Sequence, residues 1–287
     1  MSSGLEPSPP ARYCRNCGAP LSGEYCADCG QKGDVHVPTT AELLHEALEG
    51  ITHSDSRVWL SLQYLLFVPG KLTAEFIAGR RVSYLPPFRL YLVLSVAFFL
   101  MTSISHTTML HIDSATKAPS ESCRDLHINL FGSSGEEQRF RQACERILLD
   151  QGRNFQHVVI ATIPKAMFIF LPLIAFFHML LYWRPRHRYA EHLLFFIHAH
   201  AFAFLAMSLL LLLNALGETV KSMQGATNVL MAALSLYIPV YVVMAMRRVF
   251  KGGRLSIFFK ACLLFSIYAT VLALTMAGVV IYALYQV

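Results

Sequence analysis

The chain has 287 residues, of which 55% are hydrophobic and only 15% are charged, and its mean hydropathy is +0.46. This composition excludes an ordinary soluble domain and a large multidomain enzyme, and it is typical of a polytopic membrane protein. The net charge of +6 comes from short loops between apolar segments, which is the pattern of a membrane protein, so no nucleic-acid partner is predicted.

Two Cys-x-x-Cys-Gly motifs occur near the start of the chain, with eight residues between Cys17 and Cys26. Each presents two thiols from a tight turn, and together they supply the four ligands of a tetrahedral zinc site: Cys14, Cys17, Cys26 and Cys29. The alternative is a pair of disulfides. Because residues 1 to 40 lack the apolar core of a signal peptide, we expect a reducing cytoplasm, which favours zinc. The sequence therefore predicts a cytoplasmic zinc ribbon at residues 1–34 with one structural zinc ion per chain.

Residues 39–86 carry short amphipathic helical patterns. Thr39 and Glu42 form a capping box ahead of apolar residues at helical spacing. A second stretch, Arg57 to Phe67, is about 17 Å long as a helix, which is too short to span a bilayer. A third runs from Leu72 to Ala78 and ends at a glycine. We interpret all three as helices at the cytoplasmic membrane interface.

Five apolar segments long enough to cross a bilayer follow, at about residues 88–106, 158–183, 192–214, 228–246 and 257–285. A polar segment, residues 107–156, separates the first span from the second and contains a predicted helix from Ser134 to Leu149. The predicted fold class is therefore an all-α polytopic membrane protein. Its domain at 88–287 has five transmembrane helices, preceded by interfacial amphipathic helices and the small N-terminal zinc ribbon.

Basic residues in the loops predict the orientation. In a five-span arrangement, one side of the membrane receives three basic groups: Arg80, Arg81 and Arg89; Arg184, Arg186 and Arg188; and Arg247, Arg248, Lys251 and Arg254. By the positive-inside rule this side is cytoplasmic, which places the N-terminus inside and the C-terminus outside a bacterial inner membrane. The three arginines at 184, 186 and 188 either act only as topology determinants or also contact anionic lipid head groups.

Two further cysteines, Cys123 and Cys144, fall in the segment predicted to be external. An oxidising compartment favours a disulfide between them, whereas the alternative is two free thiols in a mobile loop. The pairing is the favoured prediction.

Several short motifs occur in a fixed order along the chain: CxNCG and YCxxCGQ in the cysteine motifs, Leu66 to Lys71, Gly79-Arg80-Arg81, Tyr84-x-Pro-Pro-Phe88, Glu191-His192-Leu193 and His198-x-His200. Their combination resembles the bacterial domain-of-unknown-function family 3667. The resemblance implies a zinc ribbon fused to a helical membrane domain, without an assigned activity. In architecture alone, the chain also resembles the five-span Yip-type membrane proteins, which are linked to vesicle traffic.

Ionisable residues in or near spans two and three form a candidate intramembrane site: His178, Glu191, His192, His198 and His200. Such groups are costly in a bilayer and are often functional. On one helix His198 lies about 20° from Glu191, whereas His192 and His200 lie about 80° apart. A single helix therefore cannot gather the three histidines, and the alternative is that they cap, anchor and pack their helix.

Three functions remain compatible with these features. The leading interpretation is a membrane protein whose cytoplasmic ribbon binds a protein partner, or has a regulatory or membrane-organising role. The second is a small transporter or lipid-handling protein that uses polar residues of spans two and three. The third is an intramembrane metal-dependent enzyme, although catalysis is the less favoured prediction because the histidine spacing is atypical of metal sites.

Overall fold

A computed structural model describes residues 12–33, 57–104, 123, 134–182 and 187–287 of the chain. The helix predicted from Thr39 and the loop residues Arg184 and Arg186 lie outside these ranges. The chain divides into two units: Met1–Phe99 with Met179–Ala261, and Leu100–His178 with Cys262–Val287.

The first described residues, 12–33, form a small cysteine segment with two short strands. Strand β1, Arg12–Tyr13, pairs antiparallel with β2, Pro20–Leu21, so that Arg12 lies opposite Leu21. A single bridge joins Tyr25 to Lys32 in the second half of the segment. Each half of the cysteine segment is therefore a tight hairpin around one Cys-x-x-Cys motif.

The rest of the described chain is helical. The helices are α1 Arg57–Phe67, α2 Lys71–Ile77, α3 Pro87–Ile104, α4 Ser134–Leu149, α5 Arg153–Leu181, α6 Tyr189–Thr219, α7 Gln224–Phe250 and α8 Arg254–Gln286, with a 3-10 turn, Lys221–Met223, ahead of α7. Within the described ranges, five helical segments are long and apolar enough to cross a membrane: those of α3, α5, α6, α7 and α8. The predicted helical fold, with five helices long and apolar enough to span a membrane, is confirmed.

Helices α1 and α2 form a hairpin through a turn at Pro69 and Gly70. Gly70 has a positive φ of 72°, and the amide of Lys71 donates to the Val68 carbonyl at 3.0 Å. Helix α2 ends in a Schellman motif, in which the amide of Gly79 donates to the Phe76 carbonyl and the amide of Arg80 to that of Glu75. The carbonyl of Gly79 is not used by this motif and is directed to another part of the chain.

The α1–α2 hairpin packs against α6 and α7. Phe76 of α2 and Leu194 of α6 are buried together. From α7, the Tyr237 hydroxyl donates to the Leu66 carbonyl at 2.8 Å, and Arg248 donates to the Pro69 carbonyl at 2.6 Å. The hairpin is thus fixed to two predicted spans through its backbone as well as its apolar side chains.

The second unit contains α4, most of α5 and the C-terminal part of α8. Phe170 of α5 meets Tyr268 of α8 edge to face, with ring centroids 5.1 Å apart. Helix α4 lies against the end of α8, where Phe140 contacts Tyr285 and Arg146 donates to a backbone oxygen of Val287. These contacts place α4 beside one end of a predicted span.

Candidate metal centre

The four cysteines of the segment converge. Their sulfur atoms all lie within 4.8 Å of one another, with 3.5 Å between Cys14 and Cys29 and 3.5 Å between Cys17 and Cys26. Tetrahedral zinc with Zn–S bonds of about 2.3 Å requires sulfur atoms about 3.8 Å apart. The four cysteines therefore lie close enough to hold a metal ion, and as four ligands they would fill a tetrahedral site.

The backbone of the cysteine segment repeats around the two motifs. Cys14 O accepts from the Gly18 amide at 2.9 Å, and Cys26 O accepts from the Gly30 amide at 2.9 Å. Both glycines have a positive φ, of 79° and 72°, which glycine adopts without strain. The amide of Cys14 then donates to Ala19 O, and that of Cys26 donates to Gln31 O, each at 2.8 Å. Gln31 therefore occupies in the second half the position that Ala19 occupies in the first.

Gln31 joins the cysteine segment to the α1–α2 hairpin. Its side chain is only 4% exposed, and its Nε2 donates to the free carbonyl of Gly79 at 2.8 Å. Its Oε1 accepts from the amides of Arg81 at 3.1 Å and Val82 at 3.4 Å. One side-chain amide thus pairs with the backbone on both sides of Arg80, as a short strand would. We name residues 79–83 the exit segment, because they lead the chain out of α2.

A second contact, from the first cysteine motif, fixes the orientation of the segment. The hydroxyl of Ser83 donates to Asn16 Oδ1 at 3.1 Å. Because Asn16 lies between Cys14 and Cys17 and Gln31 follows Cys29, the exit segment is contacted from both cysteine motifs.

Charged side chains brace the exit segment against α2. Glu75 is bound by Arg80 and, at 2.7 Å, by Lys71, while its own side chain is only 8% exposed. The hydrogen bond from Arg80 lowers the pKa of Glu75, with a smaller contribution from Lys71. Arg81 lies over the ring of Phe76, 4.7 Å from its centroid. The exit segment is consequently held to the hairpin at neutral pH.

The histidines of α6 have three different environments. Nδ1 of His198 lies 3.0 Å from the Thr73 hydroxyl of α2, whereas Nδ1 of His200 donates to the Phe196 carbonyl of its own helix at 2.9 Å. His192 is stacked on Phe250 of α7, with ring centroids 4.9 Å apart. The three rings do not converge, in agreement with the helical angles derived from the sequence.

Two of the remaining predicted polar residues, Glu191 and His178, belong to different units of the chain. Glu191 accepts from His187 Nδ1 at 2.5 Å, and His178 is buried in α5 within the second unit. Arg188 is exposed at the N-cap of α6. Among the described residues, the four cysteines are the only group of three or more potential metal ligands within reach of one ion. The roles of the histidines and of the arginine in membrane chemistry stay predictions.

Replacing Thr73 with valine tests the Thr73–His198 contact. Both residues are buried, Thr73 at 1% and His198 at 4% exposure. Valine keeps the shape of the threonine side chain but removes the hydroxyl that contacts Nδ1 of His198. We expect a loss of about 1 kcal/mol of stability, the usual value for a hydrogen bond inside a membrane protein. Thermal unfolding in one fixed detergent measures it. Thr219→Val is the matched control, because that exposed hydroxyl bonds only to Ala215 of its own helix; an equal loss in both variants would contradict the prediction.

Sequence reasoning missed the residues that connect these parts. In the sequence, Gln31 and Asn16 stand out only as members of the cysteine motifs, and Thr73 only as part of a short helix. Gln31 was nevertheless recognisable, because alignment of the two cysteine motifs pairs this long polar side chain with Ala19. The other two contacts have no comparable signal in a single sequence.

Comparison with known proteins gives one match, to the family described as protein of unknown function (DUF3667), over residues 55–99. No curated protein and no solved structure matches the chain. The matched residues include α1, α2 and most of α3, together with the motifs at 66–71, 79–81 and 84–88, while the four cysteines and α4 to α8 lie outside them. The match agrees with the family that the motifs predict: residues 55–99 of the chain are similar to the DUF3667 model.

Proposed function

We propose that this protein is an integral membrane protein whose cysteine segment is a structural zinc ribbon that serves as a docking and regulatory module on the membrane helices. The observation that carries the proposal is the closed four-sulfur centre, joined through Gln31 to the exit segment of the α1–α2 hairpin. A closed centre leaves no coordination position for a substrate or water, so the ion stabilises the ribbon and does no chemistry itself.

The proposal extends to location. Four sulfur ligands are kept reduced in a cytoplasm, and the basic residues at the ends of the predicted spans favour that side. We therefore place the ribbon and the α1–α2 hairpin on the cytoplasmic face of a bacterial inner membrane, with the C-terminus outside. A protein partner would then approach from the cytoplasm and meet the ribbon.

The ribbon is small, with two strands of two residues each, and it has little apolar core of its own. Domains of this size depend on a metal ion for most of their folding free energy. Its docking surface is therefore expected to exist only when the ion is bound. This dependence gives the ribbon a physical means of regulation.

Metal content of the purified full chain tests the proposed ribbon. We expect one zinc ion per chain by elemental analysis, and a fall to near zero in Cys14→Ser, because three sulfurs bind the ion far more weakly than four. Cys262→Ser is the matched control, since Cys262 is an exposed thiol outside the centre, and it should retain one zinc. A wild-type chain without metal would overturn the zinc assignment.

The same measurement separates the other two functions. A second metal ion that disappears in His198→Ala would support an intramembrane metal enzyme, which the separated histidines of α6 do not favour. If the protein is a transporter, His198→Ala should keep one zinc ion per chain but lose substrate flux.

A further inference from the structure

We propose that metal binding by the ribbon controls a reversible contact between the ribbon and its own membrane domain, with Gln31 as the residue that transmits the state of the metal centre to the exit segment. This inference rests on the proposed zinc ribbon and goes beyond it. It assigns the ribbon a first binding partner, the backbone of residues 79–83, and it names the side chain that makes the contact.

Gln31 belongs both to the second cysteine turn, through its backbone, and to the contact with the exit segment, through its side chain. Its carbonyl accepts from the amide of Cys26 at 2.8 Å and so closes the second cysteine turn. Its side chain is simultaneously paired with Gly79 and Arg81 of the exit segment. Without the metal ion, the second cysteine turn is no longer held in one conformation. The side chain of Gln31 is then no longer positioned to make its hydrogen bonds with the exit segment.

On the ribbon, the side chain that makes this contact is present in only one of the two cysteine motifs. The equivalent position of the first cysteine motif is Ala19, which keeps the backbone hydrogen bond of the turn but has no side chain to pair with the hairpin. A cysteine turn therefore folds without the side-chain amide that Gln31 supplies. Its burial and its three hydrogen bonds are explained by docking.

The α1–α2 hairpin is held in place by contacts that do not involve the ribbon. The carbonyls of Leu66 and Pro69 accept hydrogen bonds from α7, and Thr73 contacts His198 of α6. Glu75 is satisfied by Lys71 and Arg80 without any residue of the ribbon. Release of the ribbon is consequently expected to expose the exit segment while leaving α2 in place.

Hydrogen exchange measured by mass spectrometry on the full chain in detergent tests this proposal. Chelation of the metal should accelerate exchange at the amides of Arg81 and Val82 by about tenfold or more, since these amides lose their acceptor. Peptides covering α2 should exchange as before. Gln31→Ala should show the same acceleration at the amides of Arg81 and Val82 with zinc still bound at one per chain.

The matched control is Lys32→Ala, which changes the exposed neighbour of Gln31 and should behave as the wild type. A zinc-loaded wild type whose exit segment does not respond to chelation would overturn the proposal, and so would full protection of residues 79–83 in Gln31→Ala. Loss of protection throughout α2 on chelation would overturn it too, because the ribbon would then be an integral support of the hairpin. Absence of zinc from the wild type is a separate outcome, in which the proposed ribbon itself fails.

Discussion

Gly70→Ala is expected to destabilise the protein by about 3 kcal/mol, for two independent reasons. Gly70 has a φ of 72°, a backbone conformation that costs a residue with a side chain about 1 kcal/mol or more. A Cβ at this position would also lie 2.9 Å from both Cα and O of Ala245 in α7. Since these are backbone atoms of a packed helix, they cannot move aside as a flexible side chain would, and overpacking of this kind costs about 1–3 kcal/mol.

Thermal unfolding in a fixed detergent, combined with hydrogen exchange of α2, measures the effect of Gly70→Ala. Gly225→Ala is the matched control, because Gly225 has open space around it in the first turn of the same helix α7. Adding Ala245→Gly to Gly70→Ala removes only the contact with the Ala245 side chain at 3.2 Å, so we expect little rescue. A Gly70→Ala protein as stable as the control would show that the hairpin does not pack as closely on α7 as described.

Local features of the sequence were sufficient to predict most helices. The helix from Arg57 to Phe67 has the bounds expected from its apolar pattern and from the Pro69-Gly70 turn that follows it. The helix from Ser134 to Leu149 likewise begins at a Ser134-x-x-Glu137 motif, which is typical of a helix start. In both cases the residues that start or stop the helix act within one turn of it, so no knowledge of the tertiary structure is needed.

Four of the five predicted spans, the second to the fifth, are shorter than the corresponding helices. Apolar patterning placed the third span at 192–214, whereas α6 extends from Tyr189 to Thr219. The additional residues at its start include Glu191, which is buried and paired with His187. Hydropathy detects the part of a helix that is surrounded by lipid and omits the polar turns that continue beyond it.

The contacts that build the candidate site were outside the reach of such reasoning. Gln31 and Gly79 are 48 residues apart, and Thr73 and His198 are 125 residues apart. Periodicity tells which face of a helix is buried, but it contains no information about which partner covers that face. The cysteine motifs were an exception, because both ligand pairs and their spacing are contained within a few residues.

Cys123 and Cys144 provide the second prediction with a large expected effect. The structure joins their sulfur atoms, with the Cα atoms 5.9 Å apart and a sequence separation of 21 residues. A crosslink that closes a loop of this length stabilises the segment by about 3 kcal/mol on the chain-entropy model. We therefore expect Cys144→Ala to lower the local stability of α4 by about that amount, measured by hydrogen exchange of residues 134–149. Cys262→Ala, which removes an exposed thiol outside this segment, is the matched control.

The chemical state of this pair also tests the proposed orientation, since a disulfide persists only outside the reducing cytoplasm. In intact cells with a permeabilised outer membrane, an impermeant maleimide should label Cys123 and Cys144 only after treatment with an impermeant reductant. The ribbon cysteines, which we place in the cytoplasm, should stay unlabelled under both conditions. Labelling of Cys123 and Cys144 without any reductant would contradict the disulfide, whereas failure to label them even after reduction would contradict the external location of α4. Because the two outcomes differ, one experiment separates the chemistry of the pair from the topology of the chain.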